Sequence, residues 1–240
     1  MNKYKGLLID LDDTLIKSGK IYDSAMLHTA KYMSSKYKID LDLLYENLKR
    51  QYTIISKSFP NVHTRHSRIL LYRAALDSLG LEYELSDLPR LEDMYWDYFL
   101  KNIEVYEHAH TVLGKLHKAG VKIAIVSDGD LSLRIRKTEA AGLLVHVDEV
   151  VASEEVVFEK PFSAIFTLAL SRLGIEPHQA IMVGNNYKGD IRGAQLLGIR
   201  AGMFDPKVDG NVIGQETDSE IIPDFAIHDY LELEKEFGVE

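Results

Sequence analysis

The stretch LLIDLDDTLI, residues 7–16, decides how this chain is read. The apolar run over 6–11 is short and bounded by turn-forming residues, the signature of a buried strand. It carries Asp10 and Asp12, with Asp13 immediately after. Carboxylates this close repel one another and are costly to bury without a partner. Residues two apart in a strand point the same way, so Asp10 and Asp12 can address one point. Such a pair is stable where a cation joins them or one keeps its proton. Asp13 points away and reads as a turn or solvent residue.

Outward from this strand the texture changes. Over about 21–103, apolar residues recur at helical spacing and β-branched clusters are scarce. SAMLHTAKYMSSKY, DLDLLYENLKRQYTII, RHSRILLYRAALDSLG and LPRLEDMYWDYFLKNI read as four helices, with Asp40, Pro60, Asn61 and Gly80 at the joins. From 105 a different rhythm begins. A helix over 109–119 ends at Gly120, and the strand VKIAIVS follows. After the turn DGD comes a helix ending near Gly142, then a strand over 147–152 and a helix over 161–173 ending at Gly174. The strand AIMVG, a helix to Gly198, a strand over 199–204 and a closing pair DFAI and YLELEKEF complete the chain, and 205–221 is loop-like. Short β-rich runs alternating with helices indicate a parallel sheet covered on both faces. The expected fold is a doubly wound, Rossmann-like α/β core built from 1–16 and 105–240, with an all-helical cap inserted at 17–104.

The bulk numbers set outer limits. The 240 residues are 46% hydrophobic and 27% charged, as in ordinary soluble globular proteins. The net charge of -9 argues against a general nucleic-acid binder, which carries a basic face. With no cysteine, disulfides, thiolate metal sites and cysteine nucleophiles are excluded. Neither a signal peptide nor a membrane-spanning run is evident, so no membrane association and a cytoplasmic location are expected. The sequence carries no signal for oligomeric state.

In an open parallel sheet, ligands bind beyond the C-terminal ends of the strands. The first strand delivers Asp10 and Asp12 there. IVS delivers Ser127, a hydroxyl donor, followed by Asp128, Gly129 and Asp130. Exposed backbone N–H groups in this turn favour an anion, while the Asp128 and Asp130 carboxylates point elsewhere and Asp130 reads as the helix N-cap. Pro161 suits the first helical position and places Lys160, a compact positive charge suited to a phosphate oxygen, at the helix entrance. AIMVG delivers Gly184 and Asn185, and Asp190 follows. Asn185 and Asp190 offer the oxygen ligands that hard Mg²⁺ prefers. Acids for a metal beside a hydroxyl and an ammonium for an anion make a phosphoryl-transfer site, where positioning and charge neutralisation carry catalysis. Elsewhere, His63 and His66 read as solvated helix residues, 95–99 as packing within the helical insertion, and Arg65, Arg68 and Arg73 as a solvated helix face.

These residues together resemble the haloacid dehalogenase-like superfamily. DLDDT matches its first motif, IVSDG its second, EKP its third and VGNNYKGDIRGA its fourth, and the resemblance covers the whole chain, with a helical cap of the C1 type behind the first strand. It implies that Asp10 is the nucleophile and Asp12 the acid and base. It implies that Ser127, Asp128 and Lys160 form the phosphate-binding set. Mg²⁺ would sit on Asp10, the Asp12 backbone carbonyl, Asn185 and Asp190, with Thr14 ordering the loop after the nucleophile. Where the family commonly has Asp after Gly, this chain has Asn185, an amide that brings no charge. The expected activity is a Mg²⁺-dependent phosphatase acting on a small phosphorylated metabolite. A phosphomutase shares the same core residues. A dehalogenase needs no acid at position 12, and a non-catalytic binder needs none of the intact set.

Overall fold

The computed structural model describes residues 4–206 and 220–239. By internal contacts it divides into two compact units, 1–17 with 104–240, and 18–103. Most of the loop-like stretch 205–221 lies outside the described residues.

Among the described residues, the first unit is an α/β fold around six parallel strands: β1 (Gly6–Ile9), β2 (Lys122–Ser127), β3 (Glu149–Ala152), β4 (Ala180–Gly184), β5 (Arg200–Phe204) and β6 (Phe225–Ile227), in the order β3-β2-β1-β4-β5-β6. Strand order reverses at β1, which pairs Gly6 with Lys122 on one side and with Ala180 on the other. That reversal is the crevice where doubly wound sheets take ligands. Because β1, β2 and β4 are central, their residues are apolar on both faces. On one face Leu8, Ala124, Val126 and Met182 pack against Ile165, Phe166, Ala169 and Leu170 of a covering helix.

β1 ends at Ile9, sooner than the apolar run implies. Asp10 still donates its N–H to Val183 at 3.0 Å, but from Leu11 the chain turns, with Leu15 and Ile16 both donating to the Leu11 carbonyl. Strand alternation therefore does not reach Asp12. The helix after Lys160 spans Ser163–Leu173, so Pro161 is not its first residue; a turn closed by Phe162 N–H donating to the Glu159 carbonyl at 3.1 Å comes first. The segment after β4 begins as a π-helical turn, Tyr187–Arg192, capped by the Asn186 side chain, and passes into the short helix Gly193–Gln195.

The second unit is all-helical: α1 (Gly19–Tyr37), α2 (Leu41–Ser58), α3 (Arg68–Ser78) and α4 (Asp87–Lys101). Asp40 caps α2 by accepting from Leu43 N–H at 2.9 Å. Tyr95, Trp96 and Phe99 are buried within this unit. Arg68 departs from the expected solvated face. Only 4% exposed, its guanidinium lies 4.6 Å from the Tyr95 ring centroid, 5.2 Å from Trp96, 5.4 Å from Tyr52 and 5.8 Å from Tyr22. It donates to Tyr95 Oη at 3.1 Å and to the His66 carbonyl at 3.0 Å. The reason is chemical: a guanidinium is weakly hydrated and stacks on aromatic faces. Among the described residues, no helix is long and apolar enough to cross a membrane.

Candidate active site

The segments that follow β1, β3 and β4 bring three of the sequence-derived positions together. Lys160 Nζ donates to Asp10 Oδ1 at 2.6 Å, to Asp190 Oδ1 at 2.7 Å and to the Val126 carbonyl at 3.1 Å. All three charged groups are buried. Lys160 is itself placed through its backbone, whose N–H donates to Asp128 Oδ1 at 2.9 Å. The Asp128 carboxylate thus fixes the backbone of Lys160. Asp190 is held from its other oxygen, Oδ2, by Asn186 N–H at 3.0 Å.

Burial pushes the Asp10 carboxyl up to about 6, with the charges of Asp190 and Asp12 adding to the rise and Lys160 opposing it. Burial likewise raises Asp190 and Asp128 against the pull of Lys160. Burial works against the Lys160 ammonium, but Asp10, Asp190 and Asp128 outweigh it and hold the proton more tightly than in an ordinary lysine. Three carboxylates around one ammonium leave the site with excess negative charge, which suits a further cation.

Thr14 is fully buried, and its Oγ1 lies 3.1 Å from Asp10 Oδ2 and 3.4 Å from Asn185 Oδ1; its single proton can serve either acceptor. Its carbonyl accepts from Tyr230 Oη at 2.7 Å, which ties the loop after Asp10 to the C-terminal segment. Asn185 therefore sits beside Asp10. Among the described residues, no three His, Asp or Glu side chains form a ready metal cluster. The side-chain oxygens for an ion are two carboxylates and one amide, all hard donors of the kind Mg²⁺ accepts.

Sequence reasoning missed Arg134 and Lys137, on the helix Leu131–Ala140 that follows β2. Lys137 Nζ donates to Asp12 Oδ1 at 2.8 Å and Oδ2 at 2.9 Å, and Arg134 Nη1 donates to Asp12 Oδ2 at 2.5 Å. Arg134 Nη1 also lies 3.3 Å from Ser127 Oγ, so Ser127 is joined to Asp12 through a guanidinium. Asp130 caps this helix, accepting from Leu133 N–H at 2.8 Å. The available signal was the i, i+3 spacing of the two cations.

A family model for haloacid dehalogenase-like hydrolases matches residues 4–198. The chain belongs to the haloacid dehalogenase-like hydrolase family. Among its relatives, this family member is 32% identical over 206 residues to a ribulose-1,5-bisphosphate 5-phosphatase of Halopiger xanaduensis, covering 83% of this chain and 84% of the relative. It is 31% identical over 222 residues to a glyceraldehyde 3-phosphate phosphatase of Methanopyrus kandleri, covering 89% and 93%. A solved haloacid dehalogenase-family phosphatase from Thermococcus onnurineus superposes with a TM-score of 0.71 at 25% identity, covering 98% and 99% of the two chains.

Proposed function

We propose that this protein is a Mg²⁺-dependent phosphatase that hydrolyses a small phosphorylated metabolite through an aspartyl-phosphate. The observation that carries the reading is the Asp10 carboxylate, aimed from the end of the central strand and held 2.6 Å from the Lys160 ammonium. The phosphatase names of the two relatives support the same chemistry.

In this reading an Asp10 oxygen attacks phosphorus as the ester P–O bond breaks, and the electron pair leaves with the alcohol oxygen. Asp12 gives that oxygen its proton. Asp12 then takes a proton from the water that attacks the aspartyl-phosphate, so Asp10 is regenerated and inorganic phosphate leaves. Ser127 and Lys160 hold phosphoryl oxygens. Thr14 keeps the Asp10 carboxylate oriented. Asp10, Asp190, Asn185 and the Asp12 carbonyl would hold Mg²⁺, which when bound supplies charge neutralisation for the phosphoryl group.

The test is phosphate release from a panel of phosphorylated metabolites, with Mg²⁺ and with EDTA. Turnover that needs Mg²⁺ and falls about 10³-fold or more in Asp10→Asn is expected. Wild-type rates in Asp10→Asn would end the assignment.

A further inference from the structure

A general acid works only when its proton lies on the path to the leaving oxygen, and small errors in placement are costly. Asp12 lies beyond the end of β1, where its backbone forms an isolated bridge to Ile16, and that bridge does not fix its side chain. Both its oxygens are instead claimed by the helix Leu131–Ala140. Lys137, which is fully buried, reaches both, and Arg134, 3% exposed, reaches Oδ2. A lysine is almost never fully buried without a charge to meet. One helical turn separates the two cations, so they leave the same face.

The surroundings are shaped for the guanidinium. Gly129 adopts φ +129°, and a Cβ there would lie 2.8 Å from Arg134 Nη2 and 3.0 Å from its Cζ. Only glycine gives both that backbone angle and that space. Asp130, next in sequence, starts the helix at the register that delivers both cations. The same guanidinium contacts Ser127, which ties the proton donor to the hydroxyl on the phosphoryl side.

We propose that Arg134 and Lys137 are positioning residues that lock the rotamer of Asp12 so that its proton meets the leaving alcohol oxygen. This rests on the phosphatase reading above. The step balances as written there: one O–P bond forms at Asp10, one ester P–O bond breaks, and one proton passes from Asp12 to the departing oxygen. The two cations make and break no bond; they orient the Asp12 carboxyl and stabilise the carboxylate left behind when its proton moves to the departing oxygen.

The experiment compares kcat/KM on an alkyl phosphate that the wild type hydrolyses and on 4-nitrophenyl phosphate. An alkoxide must be protonated to leave, whereas 4-nitrophenolate departs as an anion. The ratio kcat/KM covers the steps up to loss of the alcohol and excludes hydrolysis of the aspartyl-phosphate, so it isolates the acid step. In Lys137→Met the alkyl value should fall about 10²-fold further than the aryl value, the scale of general acid catalysis. Arg134→Lys keeps the charge but loses the reach of Nη1, and should shift the ratio the same way by less; it decides the matter if Lys137→Met does not fold. An alkyl-to-aryl ratio unchanged from wild type in the folded variants overturns the inference and leaves the phosphatase reading intact. A wild type that releases phosphate from neither ester, or an Asp10→Asn protein as active as wild type, overturns both.

Discussion

The Asp190 carboxylate occupies the space that a side chain on Gly184 would need: a Cβ there would lie 2.2 Å from Asp190 Oδ2 and 2.3 Å from Cγ. Asp190 is fully buried and cannot swing into solvent. Gly184→Ala must therefore drive it off the Lys160 ammonium. Overpacking of this kind costs about 1–3 kcal/mol. The expected result is a lower melting temperature and a fall of about 10-fold or more in kcat/KM for phosphate release. Wild-type activity in this variant would show that Asp190 has no role there.

The Lys160 ammonium is bonded to both Asp10 and Asp190. Lys160→Met leaves two buried carboxylates facing each other, and removing one partner of a buried ion pair costs about 3–5 kcal/mol. Urea unfolding in metal-free buffer should report a loss of that order. The double variant Lys160→Met with Asp190→Asn should recover part of it, because the residual repulsion is gone. Strictly additive losses would mean the two groups do not communicate.

In the helical unit, Arg68→Ala removes two hydrogen bonds and a cation set against four aromatic rings. A loss of about 2–4 kcal/mol is expected on urea unfolding. Lysine at this position carries the charge without the planar fork, so Arg68→Lys should rescue only part of it.

Asp87 gives that unit an acid limit. The hydrogen bond from Lys36, with those from Tyr37 Oη and Glu84 N–H, holds its carboxyl below the ordinary value of 3.8. The unfolded chain then binds the proton more readily than the folded one. The stabilisation is present above about pH 4 and is lost as pH falls through the folded value. The gap in melting temperature between wild type and Asp87→Asn should be full at pH 6 and shrink below about pH 4. A gap that stays constant down to pH 3 contradicts the linkage.

The alternation of strands and helices was legible because central parallel strands are apolar on both faces, as in 7–9 and 180–183. Asp10, Asn185 and Asp190 were legible as candidates because each follows such a run at the sheet edge where ligands gather, and Lys160 because Pro161 marked the approach to a helix. Their mutual distances were not, since three separate chain segments meet there. Lys137 and Arg68 were illegible for a shared reason. A basic residue in a helix reads as solvated unless the sequence also reveals its counterpart, and Asp12 and the tyrosine rings are brought to them only by tertiary packing. Pro161 misled because a proline before a helix fits a preceding turn as readily as the first helical position.

The register of β1 carries a consequence for biogenesis. During synthesis Gly6–Ile9 emerges well before its neighbours in the sheet, which begin at Lys122 and Ala180. The four helices of 18–103 make their contacts locally and can settle while that strand still waits. The segment that ends in Asp10 is thus made as an unpaired, apolar β-segment before the strands at 122–127 and 180–184 that flank it. Asp10, Asp12 and Asp13 at its end supply the charge that guards such segments against premature self-association.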